Sequence, residues 1–256
     1  LAAVTFAAVS LHLSQSPAGK NSPYGYGRIA FLSAGFEGGM ISIAAFGIIG
    51  LAIRQWLAGV HLEQLGRGTL LTLVASLVNL ALGLYLIRTG RSTRSLILEA
   101  SGKHVLTDSW TSFGVVFGLL LVMVTGWAPL DPLVAITVAL NILWSAWGLM
   151  VRSVRGLLDI VDPTVNTRLH AAAEKTAQEL GIEQHQLRPR DTGRHVIADV
   201  HLLFPRAMSL GRAHELATEF ERLLARRVDF PIEIVSHLES IEDHDEIHSD
   251  QARDLM

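Results

Sequence analysis

The sequence predicts a bundle of membrane-spanning helices followed by a small α+β domain, and three observations support that fold class. Half of the 256 residues are hydrophobic and only 18% are charged, which is too apolar for an ordinary soluble domain. Acidic residues are scarce before position 152, with five of the 24, and abundant after it, with nineteen. The uncharged stretches of the first part approach the roughly 20 residues that a helix needs to cross a bilayer. We therefore expect a membrane domain over 1–155 and a soluble domain over 156–256 that ends in an acidic tail.

Five apolar segments make up the expected membrane domain. Residues 1–13 form the end of one span, and four complete spans follow over 29–53, 69–87, 104–125 and 130–151. Connections that are rich in Ser, Pro and Gly, or in basic residues, separate these segments. The membrane domain is therefore expected to hold four complete spans and one partial span.

The distribution of basic residues orients the spans. Arg88, Arg91 and Arg94 lie between two spans and Arg152 follows the last one, whereas the connection 126–131 has no basic residue. Because positively charged connections stay on the cytoplasmic side of a membrane, we expect the soluble domain to be cytoplasmic. The chain opens on Leu, in mid-pattern and without the charged start of a signal peptide, so we also expect further sequence to precede it.

The soluble part predicts the order helix, strand, strand, helix, strand. Helices are expected over 164–180 and 209–227, and strands over 185–190, 195–204 and 232–238. Apolar residues recur at helical spacing in the first of these segments, and hydrophobic and polar residues alternate in the central strand. Ser209 is the expected N-cap of the second helix. This order is typical of a small two-layer α+β domain.

One pair of polar residues stands out in the apolar run 104–125. His104 and Asp108 are four residues apart, so on a helix both side chains point toward the same volume. A carboxylate and an imidazole at membrane depth are costly unless an ion, a partner or a water-filled path explains them. The pair is therefore half of a tetrahedral metal site or, in the alternative, a polar pair satisfied by a neighbouring helix.

Two other acidic residues lie in the apolar segments. Asp131 precedes Pro132 at the start of a span, where a negative charge complements the helix dipole. Glu37 stands alone in the middle of its span, and its residue type leaves a structural and a functional role equally open.

Five side chains of the soluble domain are candidate metal ligands: His185, His201, His214, His237 and Glu239. His201 lies on the side of its strand opposite the hydrophobic row, and His237 and Glu239 share one side of the last strand because they are two residues apart. Without cysteine, any metal must be held by imidazole and carboxylate, which suits zinc, iron, cobalt, nickel or manganese. Each histidine alone is explained as a surface residue, whereas the set indicates a binuclear metal site.

Taken together, these features resemble the cation diffusion facilitators, a family of divalent metal/proton antiporters, over essentially the whole chain. The resemblance rests on Tyr24-Gly25-Tyr26-Gly27-Arg28, on His104 and Asp108 with Ser112 and Gly114, on Asp131-Pro132, on Ala213-His214 and on His237-Leu238-Glu239. It implies six spans, a ferredoxin-like cytoplasmic domain and a homodimer that contacts through both parts.

The resemblance also implies a function and its ligands. The implied function is export of a divalent cation in exchange for protons, by alternating access, across a bacterial inner membrane; zinc is the first candidate, before iron, cobalt, nickel, cadmium or manganese. His104 and Asp108 match two of the four transport ligands of the family. The other two belong to an H/D-x-x-x-D motif in the second span, which we expect to lie before Leu1.

In the cytoplasmic domain, the zinc-binding positions of family members correspond to His185, His201, His214, His237 and Glu239. Some zinc-transporting members have histidines in the loop between the second and third spans. Here Ser22 and Tyr26 occupy those positions, so we expect no metal site in that loop.

Two other classes of protein serve as alternatives. A membrane protein that binds metal for regulation or assembly, and transports nothing, would need only the ligands of this chain. A membrane-anchored hydrolase would need a His-Glu-x-x-His, Gly-x-Ser-x-Gly or Walker pattern, and none accompanies the His104/Asp108 pair, so we do not expect an enzyme. The net charge of −3 and the lack of a basic cluster argue against a nucleic-acid partner.

Overall fold

In a computed structural model the chain divides into two units, Leu1–Leu158 and Asp159–Met256. The structure describes residues 2–17, 19–20, 22–58 and 67–242. Each unit has its own hydrophobic core. The acidic tail beyond residue 242 and residues 59–66, which lie between the predicted spans 29–53 and 69–87, are outside the described residues.

The first unit is made of helices. They are α1 (Ala2–Ser14), α2 (Ile29–Ala58), α3 (Arg67–Ser92), α4 (Leu96–Thr125) and α5 (Leu130–Leu157). In the described part of the chain, four of them contain a segment long and apolar enough to cross a membrane, and α1 is a shorter apolar helix. At ~1.5 Å per residue, a helix of 30 residues such as α2 is about 45 Å long and exceeds the roughly 30 Å hydrocarbon core. The predicted four complete spans and one partial span are confirmed.

The connection between α3 and α4 is shorter than the basic connection that the sequence predicts. α3 continues to Ser92, and α4 begins at Leu96 rather than at His104. Ser95 caps α4, because its hydroxyl accepts a hydrogen bond from the backbone amide of Leu98. The predicted boundaries are wrong here, because α4 extends before its apolar run through Glu99 and Lys103, whose opposite charges pair with each other.

Glycines bring the backbones of α3 and α4 together. A Cβ added at Gly90 would lie 2.6 Å from the amide nitrogen of Glu99, and one at Gly102 would lie 2.9 Å from that of Ile87. Small residues permit this close approach between helices in membranes. Because Gly102 faces α3, and a helix has about 3.6 residues per turn, the predicted metal pair lies roughly on the other side of α4.

The core of this unit lies between α2, α4 and α5. Its fully buried members are small or aliphatic, apart from one phenylalanine: Phe31, Ala34, Ile41, Ala45, Leu96, Ala100, Ala139, Ile142, Ala146 and Leu149. The Ser153 hydroxyl donates a 2.7 Å hydrogen bond to the carbonyl oxygen of Phe31 and thereby ties α5 to α2. Large apolar side chains such as Phe46, Val124 and Trp144 are exposed, as expected of a surface that faces lipid.

The second unit combines two helices with a three-stranded sheet. Its elements are α6 (Pro163–Leu180), β1 (Glu183–Asp191), β2 (Val196–Phe204), α7 (Leu210–Arg227) and β3 (Ile232–Ser240). The strand order is β1-β2-β3, with β1 antiparallel and β3 parallel to the central β2. Both helices pack on one face of the sheet, around core residues such as Leu169, Val200 and Phe220. The predicted order of elements is confirmed, and β1 is longer than expected.

Capping residues set the helix ends of this unit. Ser209 caps α7 as predicted, because its hydroxyl accepts a hydrogen bond from the backbone amide of Arg212. α6 ends before Gly181, whose φ of 64° is the left-handed conformation that glycine adopts without steric cost. Because α6 ends at Leu180, β1 begins shortly after it, at Glu183.

Candidate metal sites

The first candidate site is the pair His104 and Asp108 on α4. His104 is half-buried, and its Nδ1 atom has no hydrogen-bond partner among the described residues. Asp108 is exposed, and the hydroxyls of Thr111 and Ser112 donate hydrogen bonds to its backbone carbonyl rather than to its carboxylate. Neither Nδ1 of His104 nor the Asp108 carboxylate is thus engaged by a described residue, and the Asp108 side chain is the more exposed of the two.

The pair gains no third ligand from the part of the chain that the structure describes. The group of three possible metal ligands found there lies in the second unit. A tetrahedral site takes four ligands. As a metal site, His104 and Asp108 would therefore hold two of the four ligands.

Glu37 lies on α2, inside the same helical unit. Its side chain is 2% exposed, and the Ser101 hydroxyl of α4 donates a 2.7 Å hydrogen bond to its Oε1 atom. The second oxygen, Oε2, is buried and has no hydrogen-bond partner among the described residues. The side chain thus points into the bundle and not toward the lipid-facing surface.

Glu99 is a buried acid that the sequence analysis did not single out. The Arg152 guanidinium of α5 lies 2.7 Å from Glu99 Oε2, and the Lys103 ammonium lies 3.4 Å from Oε1. The Lys103 contact follows from an i,i+4 spacing that the sequence displays, whereas Arg152 is 53 residues away along the chain. Two cations balance the charge of this acid, and the ion pair joins α4 to α5.

Asp131 occupies the first turn of α5, as its sequence context predicts. A Cβ added at Gly118 of α4 would lie 2.9 Å from Asp131 Oδ1, so the two helices approach closely at this acid. A carboxylate at a helix N-terminus is stabilised by the helix dipole, which agrees with a structural role.

The second candidate site lies on the open face of the sheet, opposite the helices. His185 pairs with His201 across β1 and β2, and His201 pairs with His237 across β2 and β3. Glu239 follows two residues after His237, so its side chain lies on the same face. Its carboxylate contacts two of the imidazoles, at 2.9 Å from Nε2 of His185 and at 2.7 Å from Nδ1 of His201.

A β-bulge in β1 directs His185 to this face. The pairing register shifts by one residue between His185 and Arg188, and Gln186 has a φ of 50°. In a regular strand, residues 185 and 187 would point to the same side. The extra residue instead lets Leu187 enter the core while His185 stays on the open face. The regular alternation of sides along a strand does not predict that His185 and Leu187 lie on opposite faces of the sheet.

The five predicted ligands of the second unit are placed differently. His185, His201 and Glu239 form one group, in which the ligand atoms lie within 4.8 Å of one another. The His237 side chain is 68% exposed and its Nε2 lies 3.8 Å from Glu239 Oε1, so it stands at the rim of the group. His214 is exposed on α7, in the helix layer, and does not belong to the group.

The surroundings of His201 favour its neutral form. Burial lowers the pKa of His201, and the neighbouring His185 and His237 act in the same direction, although the Glu239 carboxylate opposes them. A neutral imidazole is the form that binds a metal ion. The surroundings of His201 therefore favour the protonation state that a metal site would require.

Both units match family descriptions. The family model described as the cation efflux transmembrane domain matches residues 1–158. The model described as the cytoplasmic domain of cation efflux proteins matches residues 165–241. The two matches thus cover the helical unit and residues 165–241 of the second unit.

Known proteins are similar over large parts of the chain. An uncharacterized transporter of Synechocystis sp. is 32% identical over 243 residues, which cover 95% of this chain and 78% of that protein. The cation-efflux pump FieF of Shewanella oneidensis is 27% identical over 235 residues, 91% of this chain and 78% of the pump. The zinc transporter ZitB of Escherichia coli is 30% identical over 158 residues, 62% of this chain and 50% of the transporter.

Proposed function

This chain belongs to the cation diffusion facilitator family of cation efflux proteins, and from that premise we propose that it exports zinc in exchange for protons. Efflux of divalent cations is the coarser activity that the family and the relatives named as efflux pumps support. The His104/Asp108 pair, with available ligand atoms on one helix face, is the observation that supports a membrane metal site. A His/Asp donor set suits zinc better than softer or larger ions.

In the proposed cycle, His104 and Asp108 contribute half of the transport site. We expect the other two ligands from a second span of the full-length protein. The metal ion enters from the cytoplasm and is held between the spans, and a rocking motion of the helices then opens the site to the other side.

Proton exchange requires a group that gains and loses a proton near neutral pH. His104 is the candidate for this exchange, since an imidazole titrates in that range. A proton that arrives from the far side competes with the metal ion for the ring and so promotes its release. Coupling between proton uptake and metal release follows from this competition.

Substitution of His104 tests the transport proposal. In inside-out vesicles that contain the full-length protein, His104→Ala should reduce zinc uptake to background, because one of the four expected ligands is lost. His12→Ala is the matched control, since it removes an exposed histidine of α1 from the same unit and should leave uptake unchanged. Undiminished zinc flux in His104→Ala would contradict the assignment of His104 as a transport ligand, whereas wild-type vesicles that take up no more zinc than protein-free vesicles would favour the non-transporting metal-binding protein.

For the second unit we propose a regulatory zinc site centred on His185, His201 and Glu239. The three side chains belong to three different strands, so a bound ion would link all three strands of the sheet. Glu239 supplies the negative charge and the two imidazoles supply nitrogen ligands. His237 is close enough to join as a further ligand after a rotation of its side chain.

In a homodimer, His214 of one copy would be able to bind the metal ion held by the other copy. The residue lies in the helix layer of its own chain, whereas the metal group lies on the opposite face of the sheet. If His214 binds the same metal, it must therefore come from a second copy. Metal binding would then draw two cytoplasmic domains together and bias the membrane parts.

Calorimetry on the isolated residues 160–256 tests the regulatory site. We expect saturable zinc binding, and we expect His185→Ala to weaken it strongly, because that substitution removes a ligand of the group. His170→Ala, which changes an exposed histidine of α6, is the control and should bind like the wild type. A wild-type unit that takes up no zinc would contradict the regulatory site without affecting the transport proposal.

The proposed location is the inner membrane of a bacterium, with the second unit in the cytoplasm. The chain is an integral membrane protein with a cytoplasmic domain, according to its spans and its family. The positions of Arg88, Arg91 and Arg152 support the orientation, since basic residues flank spans on the cytoplasmic side.

A further inference from the structure

Two acids are buried in the described part of the first unit, and their surroundings differ. Glu99 has Arg152 and Lys103 as partners, so its negative charge is balanced. Glu37 has one polar contact, the 2.7 Å hydrogen bond that the Ser101 hydroxyl donates to its Oε1 atom. The ion pair explains Glu99 as part of the helix packing, whereas nothing of that kind explains Glu37.

The second oxygen of Glu37 is buried inside the helical unit, beside residues of its core. Ala34 and Ile41, one helical turn away on either side of Glu37, are both buried in the core of the unit. Oε2 is itself buried and has no hydrogen-bond partner among the described residues. An ionised carboxylate in such a place is costly, and the cost falls when a proton or a cation binds the unpaired oxygen.

Neighbouring ionisable groups do not supply that cation. On the helices packed against this half of α2, these groups are Glu99, Lys103 and His104 on α4, Arg152 and Arg155 on α5, and His12 on α1. Within the described residues none of them forms an ion pair with Glu37, and Arg152 and Lys103 are engaged by Glu99. Among the described residues, therefore, no cation balances a charge on Oε2.

Glu37 lies next to the proposed transport ligands. Ser101, which holds its carboxyl group, precedes His104 by three residues, so the two share a face of α4 and are about 4.5 Å apart along the helix axis. Asp108 follows one further turn away. Glu37 is on the side toward the start of α4, which is the end that carries the basic residues. This position lies between the cytoplasm and the His104/Asp108 pair in the proposed orientation.

We infer that Glu37 carries a proton in the transport cycle and that Ser101 positions its carboxyl group for this role. Oε2 takes up a proton that arrives from the far side while the metal path is empty, and the neutral acid is then stable in the buried core. The proton leaves to the cytoplasm when a metal ion approaches, so that the carboxylate charge offsets part of the charge of the incoming cation. This inference rests on the proposed metal/proton exchange.

Glu37→Gln in the full-length protein tests the inference. The amide keeps the shape of the side chain and can accept the hydrogen bond from Ser101, but it cannot carry the proton. In proteoliposomes with internal zinc and pH indicators, we expect fewer protons moved per zinc ion. We also expect the slope of log zinc flux against pH to fall by about one, as for the loss of one linked proton. Glu37→Asp should keep the wild-type slope.

Controls separate the two proposals. Asp131→Asn removes a carboxylate to which we assign a structural role. For this variant, the slope of log zinc flux against pH should match that of the wild type. If the wild type moves zinc without protons, the exchange itself fails and the role of Glu37 with it. If the wild type exchanges the two ions and Glu37→Gln does so with the same slope, only the inference is overturned. Loss of zinc binding in Glu37→Gln by calorimetry would make Glu37 a metal ligand and would overturn the inference as well.

Infrared difference spectra decide the question if Glu37→Gln does not fold. Acidification of the wild type should produce the carbonyl stretch of a protonated carboxyl group. Ser101→Ala should shift the frequency of that band, because it removes the donor to Oε1. The absence of such a band, or a band that is insensitive to Ser101→Ala, would overturn the inference.

Discussion

The two candidate metal sites differ in how much of each is assembled within one chain. In the second unit, His185, His201 and Glu239 come from three strands, and their ligand atoms lie within 4.8 Å of one another. In the first unit, His104 and Asp108 come from one helix, and no third ligand joins them among the described residues. A sheet places residues that are distant in sequence side by side, whereas one helix face offers neighbours only at three or four residues' spacing.

This difference matches the two proposed roles. A transported ion must be released, and a site that is shared between helices loses its geometry when the helices move apart. A sensing site must keep its geometry, and a site built on paired strands is held rigidly by the backbone. We therefore interpret the incomplete site as the mobile one and the assembled site as the permanent one.

The largest expected effect concerns the assembled site. Glu239→Gln removes the carboxylate that contacts both His185 and His201, so zinc affinity of the isolated residues 160–256 should fall by at least about 100-fold, or about 2.7 kcal/mol. Calorimetry measures the affinity, and circular dichroism checks that the variant folds. His237→Ala is the matched comparison, and its exposed ring should cost about tenfold or less. Equal losses would mean that the site is centred on His237 instead.

A medium effect is expected where the backbones of α3 and α4 approach each other closely. A Cβ at Gly90 would lie 2.6 Å from the backbone nitrogen of Glu99, so Gly90→Ala should destabilise the helical unit by about 1–3 kcal/mol. Thermal unfolding of the full-length protein in detergent measures this. Gly148→Ala on α5 meets no atom within 4 Å and should be neutral or stabilising by up to about 1 kcal/mol. If both variants unfold alike, α3 and α4 are not in close contact at Gly90.

The smallest expected effect is a pH dependence of the metal-free second unit. Because burial lowers the pKa of His201 below its usual range, the unfolded chain binds this proton more readily than the folded one. Stability should therefore fall as the pH decreases below about 6.5, the ordinary histidine value, and recover above it. Chemical denaturation in the presence of a chelator, at several pH values, measures the slope. His201→Gln should make it shallower, and a wild-type unit that gains stability on acidification would contradict the prediction.

Much of the fold could be predicted from the sequence because it depends on local patterns. Apolar runs of bilayer length predict the spans, and alternation over 195–204 predicts β2. The Ser209 cap and the end of α6 at Gly181 follow from the residue types at those positions. The ends of the spans could not be predicted in the same way, since α4 continues eight residues before His104.

The sites could be predicted only in part. Because His104 and Asp108 are four residues apart, the sequence predicts that they share one face of a helix. Because His237 and Glu239 are two residues apart, it predicts that they share one face of a strand. No local pattern shows that a bulge directs His185 to the face of His201, or that Ser101 of α4 reaches Glu37 of α2. These contacts join residues that are far apart in the chain.

By itself, the sequence determined that this protein has membrane spans followed by an α+β domain, and which residue types are available to bind metal. It did so because helix and strand periodicity, bilayer length and ligand chemistry are properties of short segments. The tertiary structure alone decided which candidates meet: it grouped three of the five ligands of the second unit, left His214 in the helix layer and buried Glu37. The physical reason is that strand register and helix packing, which bring distant residues together, depend on the whole core and not on any one segment.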